Sequence, residues 1–92
     1  MEFKLWYHEE VVKKDISALS SDWKKQIKNT IEVKLLIHPE VFGKPLRCSL
    51  KGYRKLRVGD YRIVFRIEKE KIKIFAILHR SIVYKAVPKR VV

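Results

Sequence analysis

The Gly59-Asp60 pair constrains the fold more than any other feature of the sequence, because it separates two strand-like segments. Residues 53–58 and 61–68 are rich in β-branched, aromatic and arginine residues, and apolar and polar side chains alternate along them. A two-residue loop that begins with glycine suits a type II′ turn, which fixes the register of the hairpin. The predicted register places Val58 opposite Tyr61 and Arg57 opposite Arg62.

Side chains alternate between the two faces of a strand, so the hairpin has one apolar face and one basic face. The apolar face collects Leu56, Val58, Tyr61, Ile63, Phe65 and Ile67. The basic face collects Lys55, Arg57, Arg62, Val64 and Arg66. If the charged corner before residue 71 preserves the alternation, a third strand over about 71–79 extends both faces. It then adds Ile72, Ile74, Ala76 and Leu78 to the apolar face, and Lys73, Phe75, Ile77 and His79 to the basic face.

The residues before the hairpin predict one strand and two helices. Alternating apolar residues from Phe3 to Tyr7 indicate the strand, and helical spacing from Glu9 predicts a first helix over about 9–19. Residues 20–22 can cap a second helix, which ends before Pro39 because proline disfavours helical geometry in the preceding residue. Residues 46–50 form a weak strand or an extended lead-in, and residues 81–87 a short helix or an irregular ending.

These elements predict an α+β domain of order β-α-α-β-β-β, with two helices packed on one face of a small antiparallel sheet. A chain of 92 residues is one domain. Its parts are the first strand and helical pair (1–37), the sheet with the cationic face (46–84) and a C-terminal tail (85–92). Cys48 is the only cysteine, and neither a signal peptide nor a membrane span is evident, so we expect a cytoplasmic protein.

The charge balance is unusual, with 22 Lys and Arg against ten Asp and Glu and a net charge of +12. Folding alone does not need this charge, because like charges repel one another in the compact state. A solvated basic surface is one interpretation, and affinity for nucleic acid is the other. Arg57 opposite Arg62 favours the second, because like charges facing each other across strands cost about 0.2–1 kcal/mol. If both side chains splay into water, the cost is close to zero. If they do not, the basic face is interpreted as a binding surface for a polyanion, with RNA as the first candidate.

The segment GYRKLRVGDYRIVFRI, followed by AILHRSIVY, resembles the RelE branch of the RelE/ParE toxin superfamily of toxin–antitoxin systems. The shared pattern is a tyrosine-led basic strand, a short turn, YRIVF, a further strand, and then HR and a tyrosine. The resemblance implies a toxin of the RelE fold that acts as a ribosome-dependent mRNA interferase. Such toxins cleave the codon in the ribosomal A site by attack of the ribose 2′-hydroxyl, with neither metal nor cofactor. An acidic antitoxin keeps them silent between bouts of stress, in a complex expected to be hetero-oligomeric.

The resemblance also implies roles for particular residues. Lys55 occupies the place of a catalytic lysine, whereas Tyr53 stands where better-known members carry a second one. The implied catalytic set is Lys55, Arg57, Arg62, His79, Arg80 and Tyr84. Further RNA contacts are expected from Lys51, Arg54, Arg66, Lys73 and Phe75, the last by stacking on a base.

Each of these residues also has a structural interpretation that the sequence leaves open. Tyr84 can pack against the sheet edge, His79 can be a solvent-facing strand end, and Phe75 can be an apolar contact. Two other functions also remain open. One is a ParE-like inhibitor of DNA gyrase, and the other is a nucleic-acid-binding module without catalytic activity.

Overall fold

The computed structural model describes residues 3–47 and 50–91, and these form a sheet with helices on both faces. The strands are β1 (Lys4–Tyr7), β2 (Lys44–Pro45), β3 (Arg54–Val58), β4 (Tyr61–Glu68) and β5 (Lys71–His79). The helices are α1 (9–18), α2 (21–35), α3 (Pro39–Phe42) and α4 (Val83–Arg90). Within α1 the segment Val11–Asp15 is π-helical, as is Ile31–Leu35 at the end of α2.

The sheet has the strand order β1-β5-β4-β3-β2. Neighbouring strands from β5 to β2 are antiparallel, whereas β1 runs parallel to β5. The predicted α+β class and the helical pair on one face are confirmed. The sheet is mixed rather than wholly antiparallel, because the helices carry the chain from β1 at one edge to β2 at the other, and the last strand returns beside β1 and parallel to it.

The helical pair begins and ends where local chemistry predicts. The side chain of Ser20 caps α2 by accepting a hydrogen bond from the Trp23 N–H at 3.3 Å. The helix ends at Leu35, and Pro39 opens the separate helix α3. The apolar stripes of α1 and α2 pack on the sheet in one core. Its buried members are Val11, Leu19, Ile27, Ile31, Leu35, Leu56, Val58, Ile63, Phe65, Ile72, Ile74 and Ile77.

The β3–β4 hairpin has the predicted register, with Val58 opposite Tyr61 and Arg57 opposite Arg62. Gly59 has a φ of +58°, as the first central residue of a type II′ turn requires. A β-carbon on Gly59 would lie 2.5 Å from the Trp23 ring, which packs on the Tyr61 ring with centroids 4.7 Å apart. The turn is therefore held both by its backbone geometry and by its packing against Trp23 of α2.

The prediction for the upper half of β5 is wrong. The register shifts between Val64 and Phe65, so Val64 pairs with Ala76, Phe65 pairs with Ile74, and Phe75 is an extra residue between them. This β-bulge reverses the alternation beyond it. Ala76 and Leu78 therefore join the face away from α1 and α2, whereas Ile77 joins the main core.

A second, smaller core lies on that opposite face, beneath α4. Val83 and Val87, four residues apart on α4, are fully buried against Val64 and Ala76 of the sheet. Of the two alternatives for residues 81–87, the structure has the short helix, which begins at Val83 and extends into the expected tail over 85–92. Residues 85–90 belong to α4 because Val87 requires burial, and Val92 lies outside the described residues.

The sequence predicts a weak strand or an extended lead-in at residues 46–50, and no strand is present at the described residues 46, 47 and 50. Strand pairing is confined to Lys44–Pro45, and Leu46 adds one backbone hydrogen bond to the Tyr53 carbonyl, while Cys48 and Ser49 lie outside the described residues. Proline at position 45 has no N–H to donate, so the edge strand stays short. In the described parts of the chain, none of the helices has the length and hydropathy that crossing a membrane requires.

Candidate functional site

A basic pocket lies at the end of the sheet where β4 begins and β5 ends. It has a volume of about 430 Å³, and its lining consists of Lys55, Arg62, His79, Arg80, Ser81 and Tyr84. Three elements meet there: the hairpin, the residues that follow β5, and the first turn of α4. The structure therefore brings together five of the six residues that the sequence predicts as catalytic.

Arg62 is held by neutral partners. Its Nη1 donates to the carbonyls of Gly59 and Tyr61, both at 3.0 Å. Backbone carbonyls orient a guanidinium without cancelling its charge, and the Nε–H and Nη2–H groups are still available to an anion. Arg57, the sixth predicted residue, lies directly across the strand pair and is exposed beside the pocket. Among residues 3–47 and 50–91, no carboxylate lies within ion-pair distance of either arginine.

Lys55 and Tyr84 form the side of the pocket between β3 and α4. The Lys55 Nζ lies 5.6 Å from the centroid of the Tyr84 ring, within cation–π distance. Tyr84 is 41% exposed, so its ring is not a core residue and remains accessible from the pocket. The structural interpretation of Tyr84 as a packed edge residue is therefore less favoured than its location in the site.

His79 is oriented by Ser81, a residue that sequence reasoning missed. The His79 Nδ1 accepts a hydrogen bond from the Ser81 N–H at 3.2 Å and lies 2.8 Å from the Ser81 Oγ. The imidazole ring also packs against the Tyr61 ring in a T-shaped arrangement, with centroids 5.7 Å apart. A serine two residues after a strand-end histidine was the available signal, because short side chains in turns hydrogen-bond to close sequence neighbours.

Arg80 ties the segment after β5 to the hairpin turn. Its N–H donates to the Asp60 carbonyl at 2.8 Å, and its Nε lies 3.7 Å from the Asp60 carboxylate. Both side chains are more than 60% exposed, so this ion pair is weak and leaves the guanidinium able to exchange partners. The backbone hydrogen bond does more to fix the loop.

Two predicted RNA contacts, Arg66 and Lys73, lie toward the other end of β4 and β5. Glu68 pairs with both of them, with its carboxylate 3.0 Å from the Arg66 Nε and 3.3 Å from the Lys73 Nζ. Arg66 also lies over the Tyr53 ring at 5.7 Å. One carboxylate thus offsets part of the charge here, and the two residues are not part of the pocket.

Three further predicted contacts are also separate from the pocket. Arg54 shares strand parity with the apolar face, and its Nη1 donates to the Gly43 carbonyl at 2.9 Å, so it supports the end of α3. Phe75 is only 9% exposed, and its ring contacts Trp6, His8 and Tyr53, so the structure favours the apolar interpretation over stacking on a base. Lys51 is exposed in the turn before β3.

A second cavity, of about 340 Å³, lies between α1, α2 and the sheet. Its lining is mostly apolar, with Lys24, Lys28 and Glu32 at the rim, and it contains none of the predicted site residues. The basic pocket, in contrast, gathers five of the residues predicted as catalytic, so the basic pocket is the candidate site. In the described part of the chain, no group of three or more His, Cys, Asp or Glu side chains is arranged to hold a metal ion.

Comparison with known proteins identifies the family of this chain. A family model described as "ParE toxin of type II toxin-antitoxin system, parDE" matches residues 9–84. The chain belongs to this family of toxins, within the RelE/ParE superfamily.

Similar proteins carry the RelE name. Toxin RelE of Mycobacterium tuberculosis (strain ATCC 25618 / H37Rv) is 41% identical over 58 residues, which are 61% of this chain and 60% of that relative. The toxin–antitoxin complex RelBE2 of Mycobacterium tuberculosis contains a chain with a TM-score of 0.79 at 24% identity, covering 87% of this chain and 100% of its own. An arginine double mutant of E. coli toxin RelE in the free state has a TM-score of 0.68 at 26% identity, with both chains fully covered. The chain thus has a RelE-like fold.

Proposed function

We propose that this toxin is an endoribonuclease that cleaves mRNA in the ribosomal A site by attack of the ribose 2′-hydroxyl. One observation carries the proposal: Lys55, Arg62, His79, Arg80 and Tyr84 converge on a single open pocket. Cleavage of a phosphodiester needs positive charge beside the phosphorus and groups that carry protons on either side of it. The pocket offers both.

The proposed reaction balances without an external cofactor. The 2′-oxygen bonds to the adjacent phosphorus and loses its proton to a base, while the bond from phosphorus to the 5′-oxygen breaks and that oxygen gains a proton. The products are a 2′,3′-cyclic phosphate and a free 5′-hydroxyl. Lys55, His79 and Tyr84 are the side chains that can exchange these protons, and such help is typically worth about 10²–10⁴ in rate.

Arg62 is the group that stabilises the transition state in this proposal. Negative charge on the phosphoryl oxygens increases as the 2′-oxygen attacks, so a cation fixed beside them lowers the barrier. Carbonyls of the turn hold Arg62 in place before substrate arrives, which avoids a reorganisation cost. Arg57 and Arg80 add positive charge at the rim, where they attract the flanking phosphates.

We also propose an acidic antitoxin as the binding partner. A net charge of +12 makes the free toxin attractive to any polyanion, so control requires a partner that covers the basic face. The similar RelBE2 protein of Mycobacterium tuberculosis is itself a toxin–antitoxin complex. The ribosome is the expected platform, since its rRNA presents phosphate to this charge while holding mRNA in the A site.

Inhibition of DNA gyrase is the second candidate, because the matching family model describes a ParE toxin. The two functions differ in what they ask of the pocket. Inhibition of gyrase would not require the side chains of Arg57, Arg62 and Tyr84, whereas cleavage of RNA would.

The deciding experiment induces the toxin in cells and maps new mRNA ends, alongside a supercoiling assay with purified protein. Codon-phased mRNA ends with normal supercoiling support the nuclease. Loss of supercoiling with intact mRNA supports the gyrase inhibitor. Salt-sensitive binding of free nucleic acid, with neither effect, identifies a binding module without catalytic activity.

A further inference from the structure

Within residues 3–47 and 50–91, one edge of β5 has no neighbouring strand beyond Ile74. β1 pairs with β5 only as far as Tyr7 opposite Ile74, and the His8 N–H then donates to the Ile74 carbonyl at 2.8 Å. Beyond that point the outward backbone groups of β5 need other partners, because buried N–H and C=O groups are costly when unpaired.

Asp15 and Arg90 supply those partners. The Ile77 N–H donates to the Asp15 Oδ2 at 2.9 Å, and the Arg90 Nη1 donates to the Phe75 carbonyl at 3.0 Å. The two side chains also bind each other through two parallel contacts, Nη1 to Oδ2 at 2.6 Å and Nη2 to Oδ1 at 2.9 Å. The carboxylate and the guanidinium thus take the place of the acceptor and the donor that a neighbouring strand would provide.

This pair is buried and joins elements that lie far apart in sequence. The Asp15 side chain is 1% exposed and the Arg90 side chain 11% exposed. The hydrogen bonds and charge of Asp15 raise the pKa of Arg90 above its ordinary value. Asp15 belongs to α1, whereas Arg90 is the last residue of α4, so the pair fastens the end of α4 to the sheet and to α1.

The Asp15–Arg90 contact can affect the position of Tyr84, because Tyr84 lies on the first turn of the same helix. The start of α4 has no side-chain cap. Val83 and Val87 determine which face of α4 meets the sheet, but apolar contact is less directional than a hydrogen bond and permits small rotations about the helix axis. A bidentate contact between a guanidinium and a carboxylate is directional. Arg90 lies six positions after Tyr84, about 9 Å along the helix axis at the usual rise.

We propose that the Asp15–Arg90 pair is a positioning device that sets the rotation of α4 at which Tyr84 lies over Lys55. Neither residue lines the basic pocket, so both act through α4. The consequence for cleavage rests on the proposed nuclease function, whereas the effect on the position of Tyr84 does not.

The first test measures that position directly, by NMR of the free toxin with labelled tyrosine and lysine. Contacts between the Tyr84 ring and the Lys55 methylene groups are expected in the wild type, and they should be lost in Arg90→Lys, which keeps the charge but loses the planar fork. Lys89→Gln is the matched control, since it alters the neighbouring exposed residue of the same helix, and it should keep the contacts. Their persistence in folded Arg90→Lys would overturn the proposal. If Arg90→Lys does not fold, Asp15→Asn supplies the same measurement, because it removes the charge and keeps the shape.

The second test measures cleavage in a double-mutant cycle of Arg90→Lys and Tyr84→Phe. Misplacement of a reacting group by about 1 Å can cost about 10²-fold, so Arg90→Lys should lower kcat by up to about that factor with little change in KM. The double variant should be no slower than Tyr84→Phe alone. Equal losses in both backgrounds would mean that the pair does not act through Tyr84. A wild type that cleaves nothing would refute the nuclease function and leave the NMR result standing.

Discussion

Arg57 lies directly opposite Arg62 across the β3–β4 hairpin, and within the described chain neither has a carboxylate partner. Cross-strand pairs of like charge destabilise a sheet. We therefore expect the arrangement to cost stability in the free protein and to become favourable when an anion binds beside the two guanidinium groups. This relationship leads to the first prediction.

Replacing Arg57 should separate stability from function. Arg57→Thr removes the repulsion and is expected to raise the free energy of unfolding by a few tenths of a kcal/mol to about 1 kcal/mol. The gain should shrink at high salt, because screening weakens the repulsion in the wild type. Urea unfolding at low and high salt measures the effect, and cleavage of mRNA on ribosomes should fall in the same variant. A variant that is less stable at low salt would contradict the account of this pair.

Gly59 closes the turn that holds Arg62, so Gly59→Ala should damage both the fold and the site. Alanine is strained at a φ of +58°, and its β-carbon would lie 2.5 Å from the Trp23 ring. We expect a loss of about 1–3 kcal/mol of stability. Gly52→Ala is the control, because Gly52 also has a positive φ, of +97°, but no atom lies within 4 Å of the added carbon. Thermal unfolding should show the smaller loss for Gly52→Ala, and equal losses would mean that the contact with Trp23 adds nothing.

Phe75 should behave as a core residue. Phe75→Ala is expected to cost about 3–5 kcal/mol of stability, since its ring is buried against Trp6, His8 and Tyr53. Phe75→Leu keeps an apolar side chain there and should retain cleavage activity when assayed well below its unfolding temperature. A stable Phe75→Leu protein without activity would instead support a direct contact between Phe75 and RNA.

Ionisation of the Tyr7 phenol should lower the stability of the folded protein at alkaline pH. Burial, with a smaller contribution from Glu32, raises the pKa of Tyr7 above its ordinary value of 10.0, so the folded state favours the neutral phenol. The stability that Tyr7 contributes is complete below pH 10 and is lost as the pH rises through the raised pKa. Urea unfolding on both sides of that window should show a larger loss for the wild type than for Tyr7→Phe. Identical losses would place the phenol in water in the folded state.

The hairpin could be predicted from sequence because its determinants are local. A two-residue loop leaves one register, and the register alone places Arg57 beside Arg62. The upper half of β5 could not be predicted in the same way. The bulge at Phe75 carries no glycine or other local mark, and it arises where the sheet must serve two cores at once.

The sequence motif indicated residues that lie together in the structure, but not the contacts that support them. Lys55, Arg62, His79, Arg80 and Tyr84 belong to a motif that the sequence displays, and the structure brings them together. The Asp15–Arg90 pair joins residues 75 positions apart, so no spacing in the chain could indicate it. The charge of Arg66 and Lys73 was visible, but their shared partner Glu68 depends on strand pairing at the other end of the sheet.

The central claim is that Arg62 stabilises the transition state of RNA cleavage in the basic pocket. Its most direct test compares three proteins on ribosomes programmed with a defined A-site codon: wild type, Arg62→Ala and Lys25→Ala. The last removes one exposed positive charge from α2, on the opposite side of the sheet. The account predicts a new RNA end bearing a 2′,3′-cyclic phosphate with the wild type and with Lys25→Ala, and a rate reduced about 10²–10³-fold with Arg62→Ala. An undiminished rate in folded Arg62→Ala, or the absence of cleavage by the wild type, would contradict it.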